Sequence, residues 1–255
     1  MSAVSSEPVR PLANWKVALL ITLGVVVLFF TSQVAGGLVL GLYASVQHWN
    51  AAQINDWVIN SIPAQFAYGV IAEGALIAGV WWGLRWLRWG WSYIGLTKPT
   101  IIHVFVGLLA VVPYFICYLL LLTFISTLVP GLNINQRQDI GFTNAVGTPD
   151  LILAFIALVI VPAFAEEITM RGLLYTGLKK WLPTLAAALI VSVLFGAAHL
   201  AEGGPSGPLW VGAIDTFTLS LVLVFLREKT GSLWPGITLH AVKNSIAFVA
   251  LFFIK

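Results

Sequence analysis

Charge is what this sequence has least of. Asp, Glu, Lys and Arg make up 9% of its 255 residues, where a soluble domain carries about 25%. With 59% hydrophobic residues and a mean hydropathy of +0.95, that shortage excludes a water-soluble globular domain. The single cysteine, Cys117, lies in an apolar run, so no disulfide can close within the chain. Short alternating segments, the pattern of a closed barrel, are missing, and the apolar runs are continuous. No A-x-A-like site follows the first run, which is therefore expected to be a retained span and not a cleaved signal. No H-E-x-x-H is present, which rules out a zincin arrangement. Neither an internal repeat nor a separate soluble domain is visible. The net charge of +3 comes from loop lysines and arginines, so no nucleic-acid partner is expected.

What is present is a series of apolar runs, expected as spans at residues 15–43, 62–84, 101–129, 151–178, 183–200, 209–226 and 233–254. The expected fold class is all-α, a polytopic transmembrane helix bundle of about seven spans with its active site inside the bundle. Residues 1–14 read as a polar N-terminal tail, 15–149 as three transmembrane helices with a polar loop, and 150–255 as four transmembrane helices carrying the chemistry. Gly36, Gly37 and Gly41 allow close helix approach, and Pro113 predicts a kink. Residues 44–60 hold no Lys or Arg, residues 130–150 read as a polar loop, and Arg227-Glu228-Lys229-Thr230-Gly231 as a tight charged turn. Arg10, Lys16, Arg85, Arg88, Lys98, Lys179, Lys180, Arg227 and Lys229 fall on one side of the seven spans, against Arg137 and Lys255 on the other. The positive-inside rule then predicts a cytoplasmic N-terminus and an outside C-terminus, in a bacterial plasma membrane.

The fourth run holds the most informative stretch. Fifteen uncharged residues, 151–165, lead into Glu166-Glu167-Ile168-Thr169-Met170-Arg171. Ionisable groups inside a span cost at least ~2.5–3.5 kcal/mol each on insertion scales, and so mark function by default. Glu167 and Arg171 are four apart with the acid first, the favourable order for a helical ion pair. Glu166 points elsewhere and keeps no local partner, which suits a general base. The alternative is a structural charge cluster at a helix end.

Of the four histidines, His48 and His103 lie at loop or span edges. His199, four residues after Phe195, reads as deep in the fifth span, and His240 shares a face with Asn244 in the seventh. Counted from the charged side, Glu166 lies about 21 Å deep and His199 about 24 Å, but His240 only about 12 Å. That mismatch calls for tilt or a shifted span boundary. Glu73, Asp215 and Lys243 are further ionisable residues inside spans, and Lys243 is expected to pair with Asp215 because an unpaired ammonium there is costly.

Taken in order and on separate spans, Glu166-Glu167-x-x-x-Arg171, Phe195-x-x-x-His199 and His240-x-x-x-Asn244 resemble the three motifs of the CaaX-protease and bacteriocin-processing (CPBP, Abi-type) family of intramembrane endopeptidases. Thr230-Gly231-Ser232-Leu233-Trp234-Pro235 is similar to family members too. The resemblance covers about residues 150–250. Met170, usually aromatic in the family, and Lys243, an unexpected charge, depart from the pattern. The resemblance implies that Glu166 and His199 hold and activate the hydrolytic water. It further implies that His240 and Asn244 stabilise the oxyanion, and that Arg171 locks Glu167, with Phe195 supporting. It leaves open a zinc-dependent version in which Glu166, His199 and His240 ligate Zn²⁺, and the metal-free version is the expectation. The expected partners are a peptide or membrane-protein substrate and the lipid bilayer. Other classes remain: a proton-coupled transporter, for which inverted repeats would speak, and a non-catalytic immunity or scaffold protein, against which the intact motifs speak.

Overall fold

The structure, a computed structural model, describes residues 15–254. The expected N-terminal tail with Arg10, and Lys255, lie outside the described residues. Among the described residues there is no strand. The chain runs α1 (Trp15–Val46), α2 (Ala51–Asn60), α3 (Ile62–Leu87), α4 (Ile101–Leu109), α5 (Val111–Leu128), α6 (Gly147–Lys179), α7 (Thr184–Ala198), α8 (Trp210–Thr230) and α9 (Trp234–Phe253). With α4 and α5 taken as one span, seven helices are long and apolar enough to cross a membrane. Their outer faces carry Leu20, Phe30, Trp82, Ile101, Leu120 and Leu185, all exposed. An apolar belt of that kind is stable only against lipid.

The helices pack through small residues, because apolar side chains gain little from facing one another when lipid is as apolar as they are. Gly36 of α1 lies against Tyr68 of α3, whereas a Cβ at Gly37 or Gly41, expected to share that role, would meet no neighbouring helix within 4 Å. Gly196 of α7 lies against α8 so closely that a Cβ there would sit 2.8 Å from the Ala213 carbonyl oxygen. The main core gathers Ile94, Tyr114, Leu174, Tyr175, Phe195, Leu219, Leu223 and Leu239. A second cluster, around Ile62, Phe142, Val159 and Phe248, closes the opposite end.

Several expectations need correcting. Between the first two spans lies a short helix that was not expected: α2 starts at Ala51 after the N-cap Asn50, whose side chain accepts from the Gln53 N–H while the Gln53 side chain accepts from the Asn50 N–H, a reciprocal cap. The third span breaks at Ala110 and not at Pro113 itself. Pro113 has no N–H for the carbonyl four residues back, that of Leu109, so the disruption falls a turn earlier. Arg227, Glu228, Lys229 and Thr230 form the last turn of α8, not a turn outside it, and Gly231 caps the helix at φ 68°.

The depth mismatch at His240 has a structural cause. Residues 232 and 233 are buried, the Leu233 N–H donates to the Gly95 carbonyl at 2.8 Å, and Trp234 Nε1 donates to the Thr97 carbonyl at 2.6 Å. The segment before α4 therefore covers the start of α9, so that helix begins below the bundle surface. The basic end of the bundle is one surface: Lys179 pairs with Glu228 at 2.5 Å, and Lys180 lies 4.7 Å over the Trp89 ring.

Candidate active site

Helix α6 is not uniform. Two wider π turns, Ile156–Ile160 and Glu167–Leu174, flank the α-helical stretch Val161–Glu166. Such turns recur at functional sites. Pro162 sits at the first junction and offers no N–H to the carbonyl four residues earlier, that of Leu158. The Asn244 amide of α9 donates to that oxygen at 3.2 Å. One sequence irregularity thus fixes one candidate side chain.

The second junction separates the two glutamates. Glu167 is 1% exposed and Arg171 is fully buried, and their ion pair closes at 2.9 Å. Glu167 Oε1 also faces His240 Nδ1 at 3.2 Å. The guanidinium lies 4.3 Å over the Phe195 ring, which helps to hold a cation whose Nε and Nη2 find no acceptor among the described residues. The same ring meets His199 edge-on at 4.8 Å and His240 at 5.9 Å. Phe195 is the apolar hub on which the charged and imidazole groups rest.

Glu166 faces the other way, into a cavity of about 1040 Å³. Glu166, His199, His240 and Asn244 all line it, so the four candidates from three spans reach one space. His240 Nε2 stands 3.7 Å from Glu166 Oε2, and that oxygen is buried without a hydrogen-bond donor among the described residues. His199 is not deep within a helix, as expected, but caps α7 and opens the 3-10 turn His199–Ser206. Its Nδ1 is 2.7 Å from the Phe195 carbonyl. A carbonyl only accepts, so Nδ1 carries the proton and Nε2 of the neutral ring is left as an acceptor. His240 follows the same logic, since its Nδ1 faces a carboxylate.

Sequence reasoning missed the wall opposite. The polar residues between α5 and α6 fold across the cavity: the Asp139 N–H donates to the Glu202 carbonyl at 2.7 Å, and Gln138 Nε2 to Glu202 Oε2 at 2.7 Å. Gln136, Arg137 and Gln138 line the cavity with Glu202. The position of Glu202 three residues after His199 was the available signal. Glu73 and Glu202 both interact electrostatically with Glu166. Lys243 and Asp215 pair as expected, at 3.0 Å.

Among the described residues no three His, Cys, Asp or Glu groups come together as a metal site.

Fold and cavity together define a polytopic helical membrane protein with an acid–base cluster inside the bundle. Residues 148–246 match the family described as Rce1-like, type II CAAX prenyl endopeptidase Rce1-like, the family to which the three motifs point. The matched stretch begins in α6, ends within α9, and contains every candidate from Glu166 to Asn244. Over 96 residues, 37% of this chain, the sequence is 33% identical to the uncharacterized protein YyaK of Bacillus subtilis (strain 168). The aligned stretch spans about a third of that relative, 32% of its length. No solved structure matches the chain.

Proposed function

We propose that the protein is an intramembrane endopeptidase that hydrolyses a peptide bond without a metal. The observation that carries this reading is the meeting of Glu166, His199, His240 and Asn244 in one cavity, within the stretch that matches the endopeptidase family. Glu166 and the His199 Nε2 acceptor hold a water between them. Glu166 takes one of its protons as the water oxygen bonds to the carbonyl carbon, and the C=O π pair moves onto the carbonyl oxygen. Asn244 retains one amide N–H for that oxyanion, the other being engaged by Leu158. His240 can donate there from Nε2 only as an imidazolium, because its Nδ1 proton faces Glu167. Collapse re-forms the C=O, breaks the C–N bond, and the leaving nitrogen takes the proton from Glu166. The products are a carboxyl group and an amine.

The substrate is a peptide or a membrane-protein segment that enters the cavity from the bilayer. The basic end of the bundle faces the cytoplasm, in a bacterial plasma membrane. Asp215 and Lys243, which a proton relay would use, are locked on one another, and this counts against a transporter. The test is cleavage of peptide libraries by the full-length protein in detergent, with products read by mass spectrometry. Specific cleavage that persists with a chelator is the expected result. Loss of all cleavage on metal removal would overturn the metal-free chemistry, and absence of cleavage altogether would overturn the enzyme.

A further inference from the structure

The proposed chemistry leaves the cavity rich in acceptors and short of donors. Glu166 and Glu202 only accept when ionised, and the neutral rings of His199 and His240 present bare Nε2 atoms. Of the two groups expected to stabilise an oxyanion, His240 has its Nδ1 proton facing Glu167, and Asn244 spends one N–H on the Leu158 carbonyl. A tetrahedral oxyanion nevertheless needs fixed donors. Two cations line the cavity, Arg137 and Lys243. Arg137 lies on the exposed connection between α5 and α6, whereas Lys243 is held inside the bundle.

Lys243 follows His240 by three residues, so both lie toward one face of α9. Side chains lean toward the N-terminus of a helix, which carries the Lys243 side chain back in the direction of His240. The two interact electrostatically. The ammonium gives one donor to Asp215 Oδ2 at 3.0 Å, and its side chain is 15% exposed. Asp215 is itself fixed through its other oxygen, which accepts from the hydroxyl of the fully buried Tyr114. An ammonium has three donors, so two remain for the cavity. A charge this costly to bury, held by a carboxylate that Tyr114 fixes in turn and lining the cavity that Glu166 also lines, is arranged to receive negative charge.

We infer that Lys243 is a further catalytic residue, the cationic hydrogen-bond donor to the oxyanion, with Asp215 and Tyr114 as its positioning residues. This rests on the endopeptidase reading. Lys243 transfers no proton: the oxyanion forms when water adds and the π pair moves to oxygen, and the ammonium stabilises it by hydrogen bonding and charge. The role also explains why α9 carries a charge where the family pattern does not call for one.

The test uses the full-length protein in detergent and a peptide it cleaves, with a phosphonate analogue of that peptide as the tetrahedral anion. Lys243→Met is compared with Lys243→Arg and with the double variant Lys243→Met, Asp215→Asn, which strands no carboxylate and so guards against misfolding. The expected result for Lys243→Met and for the double variant is a fall in kcat of about 10²–10³, with KM little changed. Phosphonate affinity should fall in proportion, and Lys243→Arg should recover part of both. A double variant that melts like the wild type and keeps kcat within about threefold of it would overturn the inference. So would a loss confined to KM and to substrates bearing a carboxylate, which would make Lys243 a reader of substrate charge. A wild-type protein that cleaves no peptide would remove the endopeptidase reading and this role with it, a failure distinct from undiminished turnover in the variants.

Discussion

At the scale of residues, two adjacent glutamates have different surroundings and hence different expected roles. Glu167 accepts from Arg171 and faces His240, all three of them nearly or fully buried, while Glu166 opens onto the cavity. Glu167→Gln removes the charge that balances Arg171, and breaking a buried pair costs about 3–5 kcal/mol. Thermal unfolding of this variant should therefore show a large loss of stability, and a melting temperature equal to the wild type would contradict the anchoring role. Lys243 makes a parallel case. Lys243→Met alone should destabilise the protein more than the same change combined with Asp215→Asn, because the single variant strands a carboxylate. The Glu167–Arg171 pair was legible in the sequence, since it needs only helical spacing. The proton positions on His199 and His240 were not, because they depend on the Phe195 carbonyl and on a carboxylate 73 residues from His240.

At the scale of elements, α6 and α9 are tied through a missing proton. Asn244→Ala leaves the Leu158 carbonyl without its side-chain donor, and the loss of this half-buried hydrogen bond should cost about 0.5–1.5 kcal/mol. Adding Pro162→Ala restores a backbone N–H at the position four residues on, so the double variant should recover part of that loss in an unfolding measurement. An Asn244→Ala penalty unchanged by Pro162→Ala would show that the two sites are not coupled. The α7–α8 contact gives a second test. Gly196→Val places a Cβ 2.8 Å from the Ala213 oxygen and 3.2 Å from Phe217 Cβ, and overpacking of this kind costs about 1–3 kcal/mol. Seven spans were readable from hydropathy, but their ends were less so. Helix α2 was hidden by its shortness, although Asn50 and Gln53 carried the signature of its start. The last turn of α8 reads as a separate charged turn because Arg227, Glu228 and Lys229 interrupt the apolar run, although the helix continues to Thr230.

At the scale of the whole molecule, the alternation of helices brings most of the described basic residues to one end and the cavity roof, with Arg137, to the other. A reporter fused after α9 should be inactive in the cytoplasm if the positive end faces inward, and a cytoplasmically active one would reverse the orientation. The sequence ordered the three motifs correctly along the chain, but it gave no means of placing the roof. That wall is built by hydrogen bonds from residues 136–139 to Glu202 and Pro208, pairings that no periodicity announces. The buried start of α9 was equally invisible, since it depends on contacts with Gly95 and Thr97 far earlier in the chain.

The central claim is that Glu166 activates the water, and the most direct measurement is peptide turnover by Glu166→Gln alongside its thermal unfolding. Gln keeps the size and the hydrogen bonding of the side chain and removes the proton acceptor. Turnover should fall by about 10²–10⁴ with the melting temperature nearly unchanged. Wild-type turnover in a folded Glu166→Gln protein would contradict it.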